Sequence, residues 1–555
     1  MVHLTIIDHL EKIIKRVVLS NLSFVYSANI EKSKFKINIE KIKNASLGDY
    51  TTKFLLSLKL PASSVETYVK YFKKKLLLKK NVFKSIEYVA PGFLNIKLND
   101  GFLNKYIENA YSSGKKYGSL SKKSTFYNIE FVSANPTGYM HLGHARNAAY
   151  GDTLANIFTK CGISVNREFF INDGGNQINN LAQAVYIRYL QLNNISIELP
   201  EDSYHGQEII TIAKKILEMN GDKFVKNHRL SDSELQYFKT TSTNYMIDEI
   251  KTTLKDFGVV FDIWFRESNI YKDNLISHVL KQLKPYLYKS EGATFLRTTD
   301  FGDDKDRVLI KSDGSYTYFT PDIAYHQIKL LRGYDKIFDI LGADHASYVK
   351  RLAISIEMLG SPQDKLQVLI QQMVKLTKNG EEFKMSKRSG NSLTIIDLIK
   401  TIGRDAARWF LVSTSLDSHL EIDVDKVKSN DTNNPIYYVQ YAHARINQII
   451  LKNNKLKLTN KYDLLNLDIE REIKLHILYY KNTLIQISKK YDVHSLCNYL
   501  VYLARLFHSY YASNRVIDEN KNKLSSQRLA FVKLIKNVLA DGLTILGIEP
   551  TDKMQ

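Results

Sequence analysis

Apolar residues change their spacing along the chain, and each change marks a different kind of element. Val65, Val69, Phe72 and Leu76 recur at helical intervals, while Lys70, Lys73, Lys74, Lys75, Lys79 and Lys80 fill the other positions, so an amphipathic helix with a basic face is predicted. The segment 86–96 predicts two short strands around the turn Pro91-Gly92. Ser112-Ser113-Gly114, followed by Gly118-Ser119, reads as a linker. Phe126 to Val132 is rich in strand formers, breaks at 133–138, and gives way to a helical pattern from Leu142 to Lys160. Strands and helices then alternate to about residue 430, including Lys336 to Leu341 ending in Gly342, with helical insertions expected over about 185–300. From about 431 every pattern is helical. Asn433-Asn434-Pro435 opens a run carrying Tyr438, Ala442, Ile446 and Ile449, and Leu496, Leu500, Leu503, Phe507 and Tyr510 form an apolar stripe expected to pack a bundle. The predicted division is a small mixed module over 1–112, an α/β unit over 113–430 and an all-helical unit over 431–555.

Composition narrows the class without naming a function. The chain has 555 residues, 44% apolar and 25% charged, enough to build more than one core, which excludes a disordered or low-complexity scaffold. Its two cysteines, Cys161 and Cys497, are too few for a disulfide framework or a Cys-x-x-Cys metal site, and a reducing compartment is expected. Charged residues interrupt the first twenty positions, and nowhere do enough apolar residues run together to span a bilayer, so a cytoplasmic location is expected. The net charge of +20 favours a polyanionic partner, by neutralising phosphates.

Two segments carry chemistry. In Ala134-Asn135-Pro136-Thr137-Gly138-Tyr139-Met140-His141-Leu142-Gly143-His144, two imidazoles three apart stand at the mouth of a helix directly after a strand. Helix N-terminal N–H groups attract phosphate, imidazoles add donors, and Gly143 leaves space for a flat base against the backbone. Taken alone, the pair also reads as a zinc pair or as two capping histidines, although no neighbouring Cys or His cluster completes a zinc site. Far downstream, Lys384-Met385-Ser386-Lys387-Arg388 lies between Gly380 and Gly390, a cationic loop suited to closing on a triphosphate, or a solvated surface loop if it stood by itself.

In that order the two segments resemble the HIGH and KMSKS signatures of class I aminoacyl-tRNA synthetases, with Leu142 in place of Ile and Arg388 in place of the final Ser. Within the class the chain resembles arginyl-tRNA synthetases of bacterial type over nearly its full length. The supporting stretches are 90–95 (APGFLN), 171–177 (INDGGNQ), 304–309 (DKDRVL), 316–326 (YTYFTPDIAYH) and 434–445 (NPIYYVQYAHAR). The resemblance implies a Rossmann-type parallel-sheet catalytic domain, a small α+β N-terminal domain that contacts the tRNA and an all-α anticodon-binding bundle. It also implies a two-step reaction: ATP and arginine give arginyl-adenylate and diphosphate, and the arginyl group then passes to the 3′-terminal adenosine of tRNA(Arg).

The residue roles follow from the same resemblance. His141, His144, Lys384 and Lys387 are the catalytic candidates. Ala134, Asn135, Pro136, Thr137, Gly138, Gly143, Met385, Ser386 and Arg388 join them around ATP, and Mg²⁺ is expected to arrive with the nucleotide, with no structural metal. Arginine is assigned to Glu130, Asn135, Tyr318, Asp322, Asp344 and His345, because a fixed carboxylate such as Asp322 can grip a guanidinium through two parallel hydrogen bonds. Asp322 alone would equally suit a helix cap or a surface ion pair. Contacts to tRNA are assigned to Asn95, Tyr437, Gln440, Tyr441 and Arg445, and a monomer is expected. Another nucleotidyltransferase of the HIGH type and a non-catalytic RNA-binding paralogue are the alternatives. The helical tail argues against the first, and retention of both imidazoles and both lysines against the second.

Overall fold

The computed structural model describes all residues except 1–4, 33, 43, 59–60, 226–228, 273, 384–392, 430 and 555. At its centre is a five-stranded sheet in which every pairing is parallel. The spatial order is Leu366–Gln371, Lys336–Gly342, Phe126–Glu130, Ser164–Ile171, Ile263–Arg266. The strand that comes first in sequence is therefore the middle one. The chain builds outward on one side through 164–171 and 263–266, then returns to build the other side through 336–342 and 366–371. In open parallel sheets the direction of winding reverses between two such strands, and a crevice opens beyond their C-terminal ends. Here that crevice lies beyond Glu130 and Gly342.

The helix Leu142–Lys160 packs on this sheet with most of its length buried. Its far half grips the C-terminal bundle: the Tyr150 hydroxyl donates to the Tyr491 carbonyl, Asn156 Nδ2 to the Ile545 carbonyl at 3.0 Å, and Lys160 pairs with Asp541. Buried Arg408 closes the joint, donating to Asp152 at 2.7 Å and to the Leu546 carbonyl at 2.7 Å. One rigid helix thus spans from the crevice to the bundle. The bundle itself consists of Pro435–Lys452, Asp468–Lys490, His494–Ser513 and Asn522–Ile545. Asn434 caps the first of these with Pro435 in its first turn, and the stripe from Leu496 to Tyr510 is fully buried.

The helical insertions are more limited than the sequence pattern suggested. Gly175–Leu192, Gln207–Asn220 and Asp232–Asp256 surround a separate core containing Tyr189, Ile212 and Phe238. The insertion ends there, because Ile263–Arg266 is the edge strand of the central sheet and 287–310 form a three-stranded antiparallel sheet. A four-residue strand between helices offers no period for a sequence pattern to reveal.

The N-terminal module is a four-stranded antiparallel sheet backed by helices Ile6–Leu19 and Ala62–Leu77. The strands Phe83–Val89 and Phe93–Leu98 form the hairpin expected around Pro91-Gly92, and Val69, Phe72 and Leu76 bury the apolar face of the lysine-rich helix. Arg471 of the bundle fastens the module by donating to Asp49 at 3.0 and 2.6 Å and to the Leu98 carbonyl at 2.8 Å.

Candidate functional site

The strand Phe126–Glu130 leaves the sheet through a strained turn. Val132 and Ser133 hold φ of 68° and 41°, unfavourable for any residue and most of all for β-branched valine. Asn147 holds the turn in place. Its Oδ1 accepts the Val132 N–H at 2.8 Å and its Nδ2 donates to the Ile340 carbonyl at 3.2 Å, stitching the two strands together where they diverge. Ser133 Oγ donates to Glu130 at 2.9 Å and accepts the Phe170 N–H at 3.1 Å. These bonds set the direction in which the chain enters the next helix.

That helix opens with the two imidazoles. His141 is the N-cap, and its Nδ1 accepts the Gly143 N–H at 3.0 Å. His144 returns the favour, its Nδ1 accepting the His141 N–H at 3.2 Å, and the rings stack with centroids 3.8 Å apart. Both Nδ1 atoms act as acceptors, so in each neutral ring the proton resides on Nε2. Burial, with His141 alongside, pulls His144 down to about 3, and burial also lowers His141. Both imidazoles are accordingly neutral N–H donors at physiological pH. Gly143 is required by the same packing, since a Cβ there would stand 2.9 Å from His141 Cε1.

A cavity of about 610 Å³ lies beyond the strand ends, lined by Glu130, Ala134, Asn135, His141, Gly143, His144, Tyr318, Asp322, Asp344 and His345. All six residues assigned to arginine and five of those assigned to ATP, Asn135 belonging to both, thus share one space, although Glu130 and His345 are 215 positions apart in sequence. Asp322 is in the first turn of Phe319–Leu331 with its side chain 33% exposed. Tyr348 lines the same cavity, and burial followed by the Asp322 carboxylate drives its phenol far above the usual range. Tyr318 stands at the rim, 91% exposed. Asp344 and His345 are an exposed pair 3.3 Å apart at the end of the strand Lys336–Gly342. Asn135 Nδ2 donates to Gln177 Oε1 at 2.8 Å.

Some calls fare differently. Pro136, Thr137 and Gly138 do not line this cavity; Gly138 faces the insertion, where an added Cβ would meet Glu208 Oε1 at 3.4 Å. Asn95 is only 8% exposed, within the N-terminal sheet, which is at odds with a direct contact to tRNA. Lys384, Met385, Ser386, Lys387 and Arg388 lie outside the described residues. Their flanks are described, and the downstream one reaches the histidine turn. Upstream, Phe383 donates to the Leu376 carbonyl at 2.9 Å; downstream, Leu142 donates to the Leu393 carbonyl and Ile395 to the Met140 carbonyl, each at 2.9 Å. A second cavity, about 540 Å³, fills the space between these flanks, Gly143 and Gly342.

Sequence reasoning missed several lining residues. Gln371 anchors the helix start by donating to the Gly143 carbonyl at 3.0 Å. Glu267, close after the edge strand, is a fourth carboxylate in the cavity, held above its usual range by burial. Neither lies in a motif, and only the sheet order brings them to the crevice. On the bundle, Tyr437 and Tyr441 stack 6.1 Å apart at 8°, and Arg445 lies over the rings of Tyr441 and Tyr511 at 6.0 and 5.3 Å. Gln440 Nε2 reaches the Glu549 carbonyl at 3.5 Å.

Comparison with known proteins agrees along the whole chain. Residues 5–98 match the family model of the arginyl-tRNA synthetase N-terminal domain. Residues 106–453 match the class I (R) tRNA synthetase catalytic domain, and 439–554 match the DALR anticodon-binding domain. A curated arginine–tRNA ligase of Ureaplasma parvum is 45% identical over 529 residues, covering 94% of this chain and 95% of that protein. One from Listeria monocytogenes is 41% identical over 543 residues, covering 96% and 97%. The structure of Thermus thermophilus arginyl-tRNA synthetase superposes with a TM-score of 0.76 over 99% of this chain and all of the other, at 18% identity, which is a likeness of fold.

Proposed function

The chain belongs to the class I arginyl-tRNA synthetases and is an ATP-dependent arginine–tRNA ligase, and from that premise we propose how its own residues divide the work. Its substrates are arginine, ATP and tRNA(Arg). The observation that carries the assignment of roles is the shared cavity: paired imidazoles and an acidic pocket face one another across the point where the sheet reverses its winding.

Arginine lies with its guanidinium on Asp322 and its α-ammonium toward Glu130 and Asn135. Asp322 offers two oxygens to the planar fork. Lysine lacks the second parallel donor, which leaves a carboxylate oxygen less well satisfied. ATP lies over Gly143 with its phosphates toward His141 and His144. A carboxylate oxygen of arginine attacks the α-phosphorus, the bond to the bridging oxygen of the β-phosphate breaks, and diphosphate leaves with that electron pair. The neutral Nε2–H groups donate to the phosphate oxygens as charge builds there, and Lys384 and Lys387 neutralise the departing β- and γ-phosphates. Mg²⁺ rides in with ATP as part of the substrate. In the second step the hydroxyl of the terminal adenosine attacks the arginyl carbonyl carbon, and AMP departs. No protein nucleophile takes part, so catalysis is positioning and electrostatics.

The bundle is assigned to the anticodon, with Tyr437 and Tyr441 as stacking surfaces and Arg445 on the backbone. A monomeric, cytoplasmic enzyme is the reading adopted. ATP–diphosphate exchange with each of the twenty amino acids, with and without tRNA, tests the whole. Exchange with arginine alone among them, dependent on tRNA, is expected; exchange with another amino acid would overturn it.

A further inference from the structure

A chain of buried charges runs beneath the arginine pocket and takes no direct part in the reaction described above. Lys329 is fully buried, yet its Nζ donates to Glu130 Oε2 at 2.5 Å and to Asp339 Oδ1 at 2.8 Å. Asp339 Oδ2 in turn bonds His326 Nε2 at 2.7 Å, and His326 Nδ1 sits 2.9 Å from the Asp322 carbonyl oxygen. The Glu130 carboxylate is thus linked through three buried side chains to the backbone of Asp322. An apolar residue of Lys329's volume would fill the same space at lower desolvation cost, so a cation there calls for a reason.

We propose that Lys329 is a positioning residue that keeps Glu130 ionised and aimed at the α-ammonium of arginine, while the Asp339–His326 pair holds Lys329 and the Asp322 turn in register with it. The inference rests on reading the cavity as the arginine site. The Ser133 hydroxyl donates to Glu130 Oε1 at 2.9 Å, and the charged groups around the carboxylate come from three elements. The helix Phe319–Leu331 presents Tyr325, His326 and Lys329, and Arg332 follows at its end. The strand Lys336–Gly342 presents Asp339, and Ser164–Ile171 presents Glu168. Glu168 is neutralised by Arg332, at 2.8 Å to both of its oxygens. Asp339 repels Glu130, so among these groups Lys329 supplies the positive charge. Burial raises the Glu130 carboxyl above its usual range and Lys329 works against that rise. Burial alone would lower Lys329, but Asp339 and Glu130 outweigh it and hold the ammonium above its usual range.

The sign is then fixed. Without Lys329 the Glu130 pKa rises further, so the carboxylate is less ionised at a given pH and arginine regains its partner as the pH is raised. In Lys329→Met the KM for arginine should rise about tenfold or more at pH 7, with the KM for ATP within about threefold, and the defect should shrink as pH goes from 7 to 9. A pH-independent loss, or an equal loss for both substrates, would overturn the proposal. The variant Glu130→Gln should weaken arginine without that pH dependence, and adding Lys329→Met to it should cost little more; full additivity would also overturn it. Should Lys329→Met fail to fold, the intact enzyme decides. Calorimetry of arginine binding at pH 7, in buffers of different ionisation enthalpy, should show no net proton release if Glu130 is already ionised, and release of one proton would overturn the proposal. If the intact enzyme binds no arginine, the reading of the cavity fails instead, and the two failures are distinguishable.

Discussion

The N–H of Leu142, between His141 and His144 in sequence, donates to the carbonyl of Leu393 at 2.9 Å. The segment that carries Lys384 and Lys387 therefore ends on the histidine turn, where a bound triphosphate would lie. Lys384→Ala and Lys387→Ala should each lower arginine-dependent ATP–diphosphate exchange by about a hundredfold, a typical loss for one stabilising charge. Arginine affinity, read by calorimetry, and the melting temperature should stay unchanged. A variant that binds arginine poorly would show that the segment acts on the wrong substrate.

Gly143 and His144 test the same turn from the other side. His144→Ala removes a donor to the phosphates and should lower the rate of adenylate formation by about a hundred- to a thousandfold, while affinity for tRNA remains normal. Gly143→Ala introduces a Cβ 2.9 Å from His141 Cε1 and must push that ring aside. A kcat loss of about tenfold or more, with thermal stability nearly unchanged, is expected. Single-turnover adenylate formation measures both.

For Asp322→Ala the loss should fall on one substrate. Hydrogen bonds to a charged group contribute about 1.5–3 kcal/mol, so the KM for arginine should rise about ten- to a hundredfold or more while that for ATP hardly moves. Asp322→Asn is the cleaner companion, because it keeps the size of the side chain and removes the charge. Equal effects on both substrates would remove the specificity argument.

The bundle offers a separable test. Tyr441 is 36% exposed and stacks on Tyr437, with Arg445 over its ring. Tyr441→Ala should lower kcat/KM for tRNA(Arg) by about tenfold, the loss of one stacking surface, with the KM values for arginine and ATP unchanged. A titration of aminoacylation against tRNA checks it.

The sequence shows the elements whose patterns are local. Phe126–Glu130, Leu142–Lys160 and Pro435–Lys452 announce themselves through strand formers, helical spacing and an Asn-Pro start, and the two signature segments need only their own residues. What it hides depends on contacts between distant positions. Asn147 sits in an ordinary helical pattern, yet it holds the strained Val132 by a bond to Ile340 across the sheet. Lys329 reads as a solvated helix position, because nothing local reveals that Glu130 and Asp339 close over it from two different strands. The edge strand Ile263–Arg266 is too short to stand out against flanking helices, and Glu267 is concealed with it. Asn95 is assigned to tRNA through the resemblance alone, and pairing inside the N-terminal sheet buries it.

Acid should weaken the fold well above the range in which carboxylates titrate. His476 is 7% exposed, stacked on Tyr499 at 4.1 Å, with Nε2 against the Tyr499 carbonyl at 3.1 Å and Nδ1 facing Lys41 at 3.4 Å. Burial, then the Lys41 charge, pulls it from 6.5 down to about 3, and His144 is likewise pulled to about 3. A histidine depressed in the folded state binds its proton more readily when unfolded, so stability is complete above about 6.5 and falls as pH drops toward 3. His476 contributes a slope of at most about 1.4 kcal/mol per pH unit over that window. His326 acts in the opposite sense: burial opposes its protonation, but Asp339 prevails and raises it, so its contribution is present below 6.5 and lost at higher pH. Because His476 and His144 together outweigh it, the urea midpoint should decline between pH 7 and pH 5. His476→Gln should flatten that decline, even if the variant is less stable at pH 7 through loss of the stack. A midpoint that held steady down to pH 5 would mean that the two buried rings accept protons without unfolding.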